Sequence, residues 1–306
     1  MNKSLFSEQE TQLHQLKKGE MTHLKLFSGI ELSFNSFHSN EISMEHEAKK
    51  EVLEINHCYK GSIGWNMKHG VSVYMGAGDL EIHTMDCCAS STMHLPLGYY
   101  EGITVLINPR QFDKEIFHIL QDVRIDIERL FQKLCPQGKP LSLPASEHIA
   151  HIFSVLYDVP ERFLLSYCRL KVQELFFYLE QLDPSGEKRL TPYYSEQAEL
   201  IKEIHGFLIE NMGKRFTIEE LSKKYLINTT TLKSVFKGIY GKPIATYMKE
   251  YRLREAMKLL RETDDSIASV AEKVGYENQG KFTAAFRQFT TVNPTEYRRL
   301  HFLNQG

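Results

Sequence analysis

The chain has 306 residues, 42% of them hydrophobic and 25% charged, ordinary usage that excludes wholesale disorder and low-complexity architecture. At roughly 150 residues per domain, this length predicts about two domains. The formal net charge of −2 excludes a uniformly basic coat for nucleic acid, and no run of about 18 apolar residues exists to cross a membrane.

The opening segment, Met1 to Leu16, is polar and lacks an apolar core, so no secretory signal is expected. Five cysteines, with an adjacent pair at Cys87 and Cys88 and no CxxC spacing, argue against a disulfide framework or a structural zinc site. They fit a reducing cytoplasm. From Glu31 to Asn108 short apolar runs alternate with turn signals: Leu32–Phe37, Val52–Asn56, Ser62–Met67, Val71–Met75, Leu80–His83 and Gly102–Asn108, with a break at Lys60-Gly61. Strands of about five residues at intervals of 8–12 predict an antiparallel sandwich or small barrel, which can enclose one small ligand.

After Pro109 the period changes. Phe112, Ile116, Ile119 and Leu120 recur at helical spacing, as do Ile127, Leu130, Phe131 and Leu134, and Ile149–Leu156 reads as another helix. Glu161–Leu182 is longer and apolar around most of its circumference, so it is buried on more than one side, by the barrel or by a second subunit. Asp183 to Tyr194 holds two prolines and a glycine and is predicted to be an interdomain linker. Beyond it the charge changes sign: 196–306 carries 18 Lys+Arg and 14 Asp+Glu, a net of +4, against −6 for the remainder. The expected organisation is therefore 1–182 (barrel about 31–108, helices about 110–182), a linker at 183–194, and 195–306.

The last third contains an internal repeat. Thr217-Ile-Glu-Glu-Leu-Ser-Lys-Lys-Tyr225 matches Ser266-Ile-Ala-Ser-Val-Ala-Glu-Lys-Val274 at a shift of 49; Leu232, Phe236, Lys237 and Tyr247 match Phe282, Phe286, Arg287 and Tyr297 at a shift of 50. In each copy Thr217 or Ser266 is placed to cap a first helix, and Asn228 or Asn278 a second. The second helices bury Leu232, Val235, Phe236 and Ile239, or Phe282, Ala285, Phe286 and Phe289. Their polar faces present Thr230, Lys233, Ser234 and Lys237, and Gln279, Lys281, Thr283 and Arg287. Helix, turn and polar-faced second helix is the arrangement that enters a major groove. Plain helical hairpins with solvated faces are the alternative. A helix over Pro243–Arg261 would hold the two copies about one DNA turn apart, roughly 34 Å.

Through Tyr251-Arg-Leu-Arg-Glu-Ala256, Ser266-Ile-Ala-Ser-Val-Ala271, Val274-Gly-Tyr276, Phe286-Arg287 and Asn293-Pro-Thr-Glu-Tyr-Arg298, the chain resembles the AraC/XylS family of bacterial transcription regulators. The N-terminal half is more loosely similar to the siderophore-regulator-type branch, through Leu53–Cys58, Gly78-Asp79-Leu80 and Pro96-Leu97-Gly98. The resemblance implies an α+β chain: an N-terminal cupin-like antiparallel β-barrel followed by helices, then an all-α domain of seven helices with two helix-turn-helix units. It implies double-stranded DNA and RNA polymerase as partners, an activating role and an effector in the barrel; a homodimer is the expectation that the apolar helix Glu161–Leu182 carries. Base reading would fall to Thr230, Lys233, Ser234, Gln279, Gly280 and Thr283. Ala284 stands where the family often has Arg, so α-helical readout by the second copy is expected to be poor, with Lys281 and Arg287 serving phosphates.

Histidines 38, 46, 57, 69, 83 and 94 lack the His-x-His spacing of a metal-binding cupin, and no metal or cofactor is expected. Trp65 and His57 are candidate effector-binding residues, with core filling the alternative for Trp65. Cys87–Cys88 is either a thiol switch or small packing residues. No phosphate-binding or nucleophile-elbow motif supports an enzyme. The rivals are a regulator governed by partners or by its own abundance, and a barrel enzyme with an appended helical domain.

Overall fold

Alternating side chains along the first strands give a sheet with two unlike faces. The computed structural model describes residues 20–43, 48–67, 70–87, 92–112, 116, 125–187 and 189–302. The chain divides into two units, 1–195 and 196–306.

Unit one contains β1 (Glu20–Phe27), β2 (Ile30–Phe37), β3 (Glu41–Ser43), β4 (Leu53–Met67), β5 (Val71–Gly76), β6 (Leu80–Thr84), β7 (Thr92–His94), β8 (Tyr100–Ile107), β9 (Leu141–Leu143) and β10 (Tyr193–Tyr194). The main path runs β1-β2-β8-β4-β5-β10, with β6 joining β4 to β9 and β7 joining β4 to β3. Its pairings are antiparallel. The break predicted at Lys60-Gly61 is instead a bend within the single long strand β4. Its first half pairs with β6 and β8, its second with β5, and the register shifts between Cys58 and Lys60. Gly61 permits the bend: its φ is +81°, and a Cβ there would lie 2.1 Å from the Tyr99 carbonyl oxygen. The end strands β1 and β10 do not pair, so the sheet among the described residues stays open and the closed barrel expected from the sequence is not formed.

One face is apolar. Leu32, Ile55, Ile82, Ile103, Val105 and Leu141 pack against α1 (Ile127–Leu134), α2 (Glu147–Phe153) and α3 (Glu161–Gln181) in one continuous core. On the other face Phe37, Cys58 and Tyr100 pack with Trp65, Val73, Met75 and Met93 from the second half of the sheet. Beside that cluster the same face turns polar. The sheet side of α3 buries Leu164, Cys168, Val172, Leu175, Phe176 and Leu179, while Phe163, Tyr167 and Leu170 are exposed at 45%, 40% and 62%. Burial on all sides is therefore not achieved within one chain. Ile119 and Leu120 of the expected helix after Pro109, the segment Met1–Leu16, His46, His69 and Cys88 lie outside the described residues.

The stretch 183–194 does not run free throughout. Tyr193 and Tyr194 pair with Ser72 and Val71, Leu190 packs into the second core, and the Ser195 amide donates to the Gly70 carbonyl at 2.9 Å.

Unit two is helical: α4 (Ser195–Glu210), α5 (Ile218–Lys224), α6 (Thr229–Tyr240), α7 (Ile244–Glu262), α8 (Ile267–Lys273), α9 (Gln279–Thr290) and α10 (Pro294–Phe302). Thr217 and Glu220 form a reciprocal capping box at α5, and Ser266 caps α8 through the Ser269 amide. Asn228 accepts from the Thr231 amide at 2.7 Å, and Asn278 from the Lys281 amide at 2.8 Å. No described helix is long and apolar enough to cross a membrane.

Candidate nucleic-acid interface

The second helix of each copy is fixed from behind and bare in front. Leu232, Val235, Phe236 and Ile239 of α6 are at most 3% exposed, as are Phe282 and Phe286 of α9. Phe289, predicted to point inward, is instead 39% exposed, in the last turn of α9. Burial along one stripe leaves positions i, i+3, i+4 and i+7 outward on the opposite one. On α6 those are Thr230, Lys233, Ser234 and Lys237, all exposed.

Superimposing the repeat at its shift of 50 puts Gly280, Thr283, Ala284 and Arg287 at the same places on α9. Of these, Thr283 is half-buried and only Arg287 carries charge. Gln279 and Lys281 are exposed but lie to either side of the stripe. The Lys281 ammonium is engaged by Glu277, one turn earlier, at 2.8 Å, and that contact holds the Glu277 carboxyl below its ordinary range. Lys233 and Lys237 have no ion-pair partner among the described residues, so their charge is available to an anion. The first face offers two cations and two hydroxyls; the second offers one cation and one partly covered hydroxyl.

The two candidate effector residues of unit one are not brought together. His57 lies on the helix side of the sheet, 3% exposed, with its ring stacked on Phe153 at 4.3 Å and Nδ1 3.3 Å from the Tyr157 hydroxyl. Burial lowers its pKa to about 4 and keeps it neutral. Trp65 lies on the other side, 4% exposed, with its ring 6.2 Å from that of His83. Among the described residues no group of three or more His, Cys, Asp or Glu side chains is arranged to hold a metal ion. Burial raises the pKa of the Cys58, Cys135 and Cys168 thiols, which makes them poor nucleophiles.

A helix-turn-helix pair with such faces defines a class of domain, and comparison with known proteins agrees. Residues 221–300 match the family described as Helix-turn-helix domain. The chain is 23% identical over 190 residues to the HTH-type transcriptional activator RhaR of Mannheimia succiniciproducens, covering 62% of this chain and 60% of that protein. It is 32% identical over 106 residues to YdiP, an uncharacterized HTH-type transcriptional regulator of Escherichia coli, with 35% of each chain covered. The crystal structure of the C-terminal domain of the response regulator yesN from Fusobacterium nucleatum is 30% identical, covering 34% of this chain and 99% of that one, with a TM-score of 0.31. The chain thus spans less than two thirds of the length of these two curated relatives, which are named as transcriptional regulators and not as enzymes. The C-terminal unit is an AraC-type helix-turn-helix domain.

Proposed function

We propose that this chain is a sequence-specific, double-stranded-DNA-binding transcriptional regulator whose N-terminal unit responds to a small molecule. The observation that carries the reading is the pair of capped second helices, α6 and α9, each with its outward face clear of the core. Insertion of α6 in a major groove places Thr230, Lys233 and Ser234 at base edges, with Lys237 on a phosphate; α9 follows in the next groove, where Arg287 and Lys281 serve phosphates and Gln279 and Thr283 supply the remaining polar contacts. The open antiparallel sheet of unit one, with its partly polar inner face, suits an effector site. The outward stripe Phe163, Tyr167 and Leu170 on α3, spaced i, i+4, i+7, suits a symmetric dimer contact. Activation through RNA polymerase is the expected output. Effector binding acts by favouring one arrangement of units or subunits over another.

The reading is tested by titrating the full chain against the DNA upstream of its own and neighbouring genes across a salt series. A handful of phosphate contacts weakens binding about 10³-fold or more between 50 and 200 mM salt. Lys233→Ala is expected to cost about 1–3 kcal/mol on the best site and to relax base preference; Lys281→Ala is expected to weaken all sequences alike. Equal, sequence-independent losses for both variants would remove the distinction between the faces. Salt-insensitive binding would remove the whole proposal.

A further inference from the structure

On the inner face of the sheet in unit one, six side chains from four strands form an unbroken polar ribbon. Asn35 Nδ2 donates to Thr104 Oγ1 at 2.8 Å, Thr104 Oγ1 donates to Asn56 Oδ1 at 2.6 Å, and Asn56 Nδ2 donates to a Glu54 oxygen at 3.0 Å. The other Glu54 oxygen is 3.6 Å from His83 Nε2, and His83 Nδ1 is 4.0 Å from Glu81. Strand register explains the alignment: Thr104 pairs with Asn56, which pairs with Glu81.

The ribbon is incompletely satisfied. Glu81 is fully buried with only Ser142 and, at 4.0 Å, His83 to offset its carboxyl, and the Oδ1 of Asn35, 4% exposed at the other end, has no hydrogen-bond partner among the described residues. A buried acceptor left unmade is costly, so such groups mark a place shaped for a donor. Burial pushes the Glu81 carboxyl up to about 7, against the pull of His83. Thr104 and Glu54 remain half-buried although they sit on interior strands.

Charge selects the ligand. Two carboxyl groups, Glu54 and Glu81, face the single imidazole of His83, so the cluster favours a cation and repels an anion. The Trp65 ring stands beside His83 and adds a π-surface suited to a cation. We infer that the inner face binds a small organic ammonium carrying hydroxyl groups, with the ammonium at Glu81 and Glu54 and the hydroxyls along Asn56, Thr104 and Asn35. This deepens, and rests on, the reading of unit one as the ligand-binding part.

Trp65 is the only tryptophan in the chain, so intrinsic fluorescence of the full-length protein reports on this face. The test compares ethanolamine and 4-aminobutanol with 1,4-butanediol and 4-hydroxybutyrate at neutral pH, up to about 10 mM. A saturable change is expected with the amino alcohols and none with the hydroxy acid. Glu81→Gln is expected to weaken the response at least about 30-fold. Because a buried substitution can disturb folding, Glu54→Gln is the second variant, and each is checked for an unchanged far-UV spectrum. A response to the hydroxy acid equal to that of the amino alcohols, equal responses to diol and amine, or no response to either amine overturns the inference. Amine binding that leaves DNA affinity unchanged would instead keep the site and defeat the effector reading.

Discussion

The two helix-turn-helix copies solve the same folding problem with different chemistry at two places, the turn and the core. At the turn both copies pass through the left-handed region. The second copy uses Gly275, with φ +80°; the first uses Leu226, with φ +53° and 94% of its surface exposed. The reason lies in what surrounds each turn. A Cβ on Gly275 would stand 2.8 Å from the Met212 carbonyl oxygen and 3.0 Å from that of Gly213, so only glycine fits. Leu226 faces solvent, and only its own backbone strain opposes a side chain there. In the core the second copy is apolar around Leu253, Ala256, Leu260, Val270, Phe282 and Phe286. The first includes His205, whose ring stacks on Tyr240 at 4.3 Å and whose Nε2 is 2.8 Å from the Tyr247 hydroxyl. Duplication preserved the hydrogen-bonded frame and left steric and ionic details to each site.

The sharpest way to break this contrast is at the turn of the second copy. Gly275→Ala combines left-handed strain with a backbone clash and is expected to cost about 3 kcal/mol or more. Denaturant unfolding of the full chain, followed by hydrogen-exchange protection in α8 and α9, measures it. Protection unchanged from the parent protein would show that the α4–α5 loop yields freely and that the turn is not constrained.

Next comes acid. Burial lowers the pKa of His205 to about 4, against an ordinary value of 6.5, so the folded state holds the neutral ring. Between pH 6.5 and 4 the unfolded chain binds the proton and the folded one does not. Stability is therefore full above about pH 6.5 and is lost as pH falls, by about 3 kcal/mol in total. Protection factors for α6 should fall across that window while those for α9 hold, and His205→Gln should flatten the α6 profile. A parallel decline in both copies would place the acid-labile group elsewhere.

Much of this was legible in the sequence, and the legible part shares a physical basis. Thr217, Ser266, Asn228 and Asn278 cap helices through bonds to amides three residues ahead, so a short window contains both partners. The outward set Thr230, Lys233, Ser234 and Lys237 follows from the helical period alone. What the sequence concealed is non-local. Strands β1, β3, β7 and β9 lack clear patterns of their own and exist through their neighbours. Asn35, Thr104 and Asn56 look like ordinary outward residues of alternating strands; only the bend in β4, which folds the second half of the sheet over the first, makes their side an interior. His57 and Trp65, eight positions apart in sequence, would share a face of a regular strand and fall on opposite sides for the same reason. Lys281 stood out as a cation, but the repeat aligns it with Thr231 and not with the reading stripe.

The smallest expected effect tests whether Leu226 is tolerated strain or a requirement. Replacing it with glycine removes the left-handed penalty from the folded state and adds freedom to the unfolded chain, two terms of opposite sign and each about 1 kcal/mol. Loss of the exposed side chain forfeits no core contact, so the net change in stability should lie within about 1 kcal/mol of zero, far from the cost of the reverse change at Gly275. The comparison also separates stability from binding. Leu226 stands two residues before Asn228, the cap of α6, and an apolar side chain 94% exposed beside that cap gains nothing in the free protein. If Leu226→Gly leaves stability within about 1 kcal/mol and DNA affinity within threefold of the parent (about 0.6 kcal/mol), the leucine is a tolerated accident of the first copy. A larger loss of DNA affinity at unchanged stability would show that the first turn itself touches the duplex, and the difference between the copies would then extend from reading helix to turn.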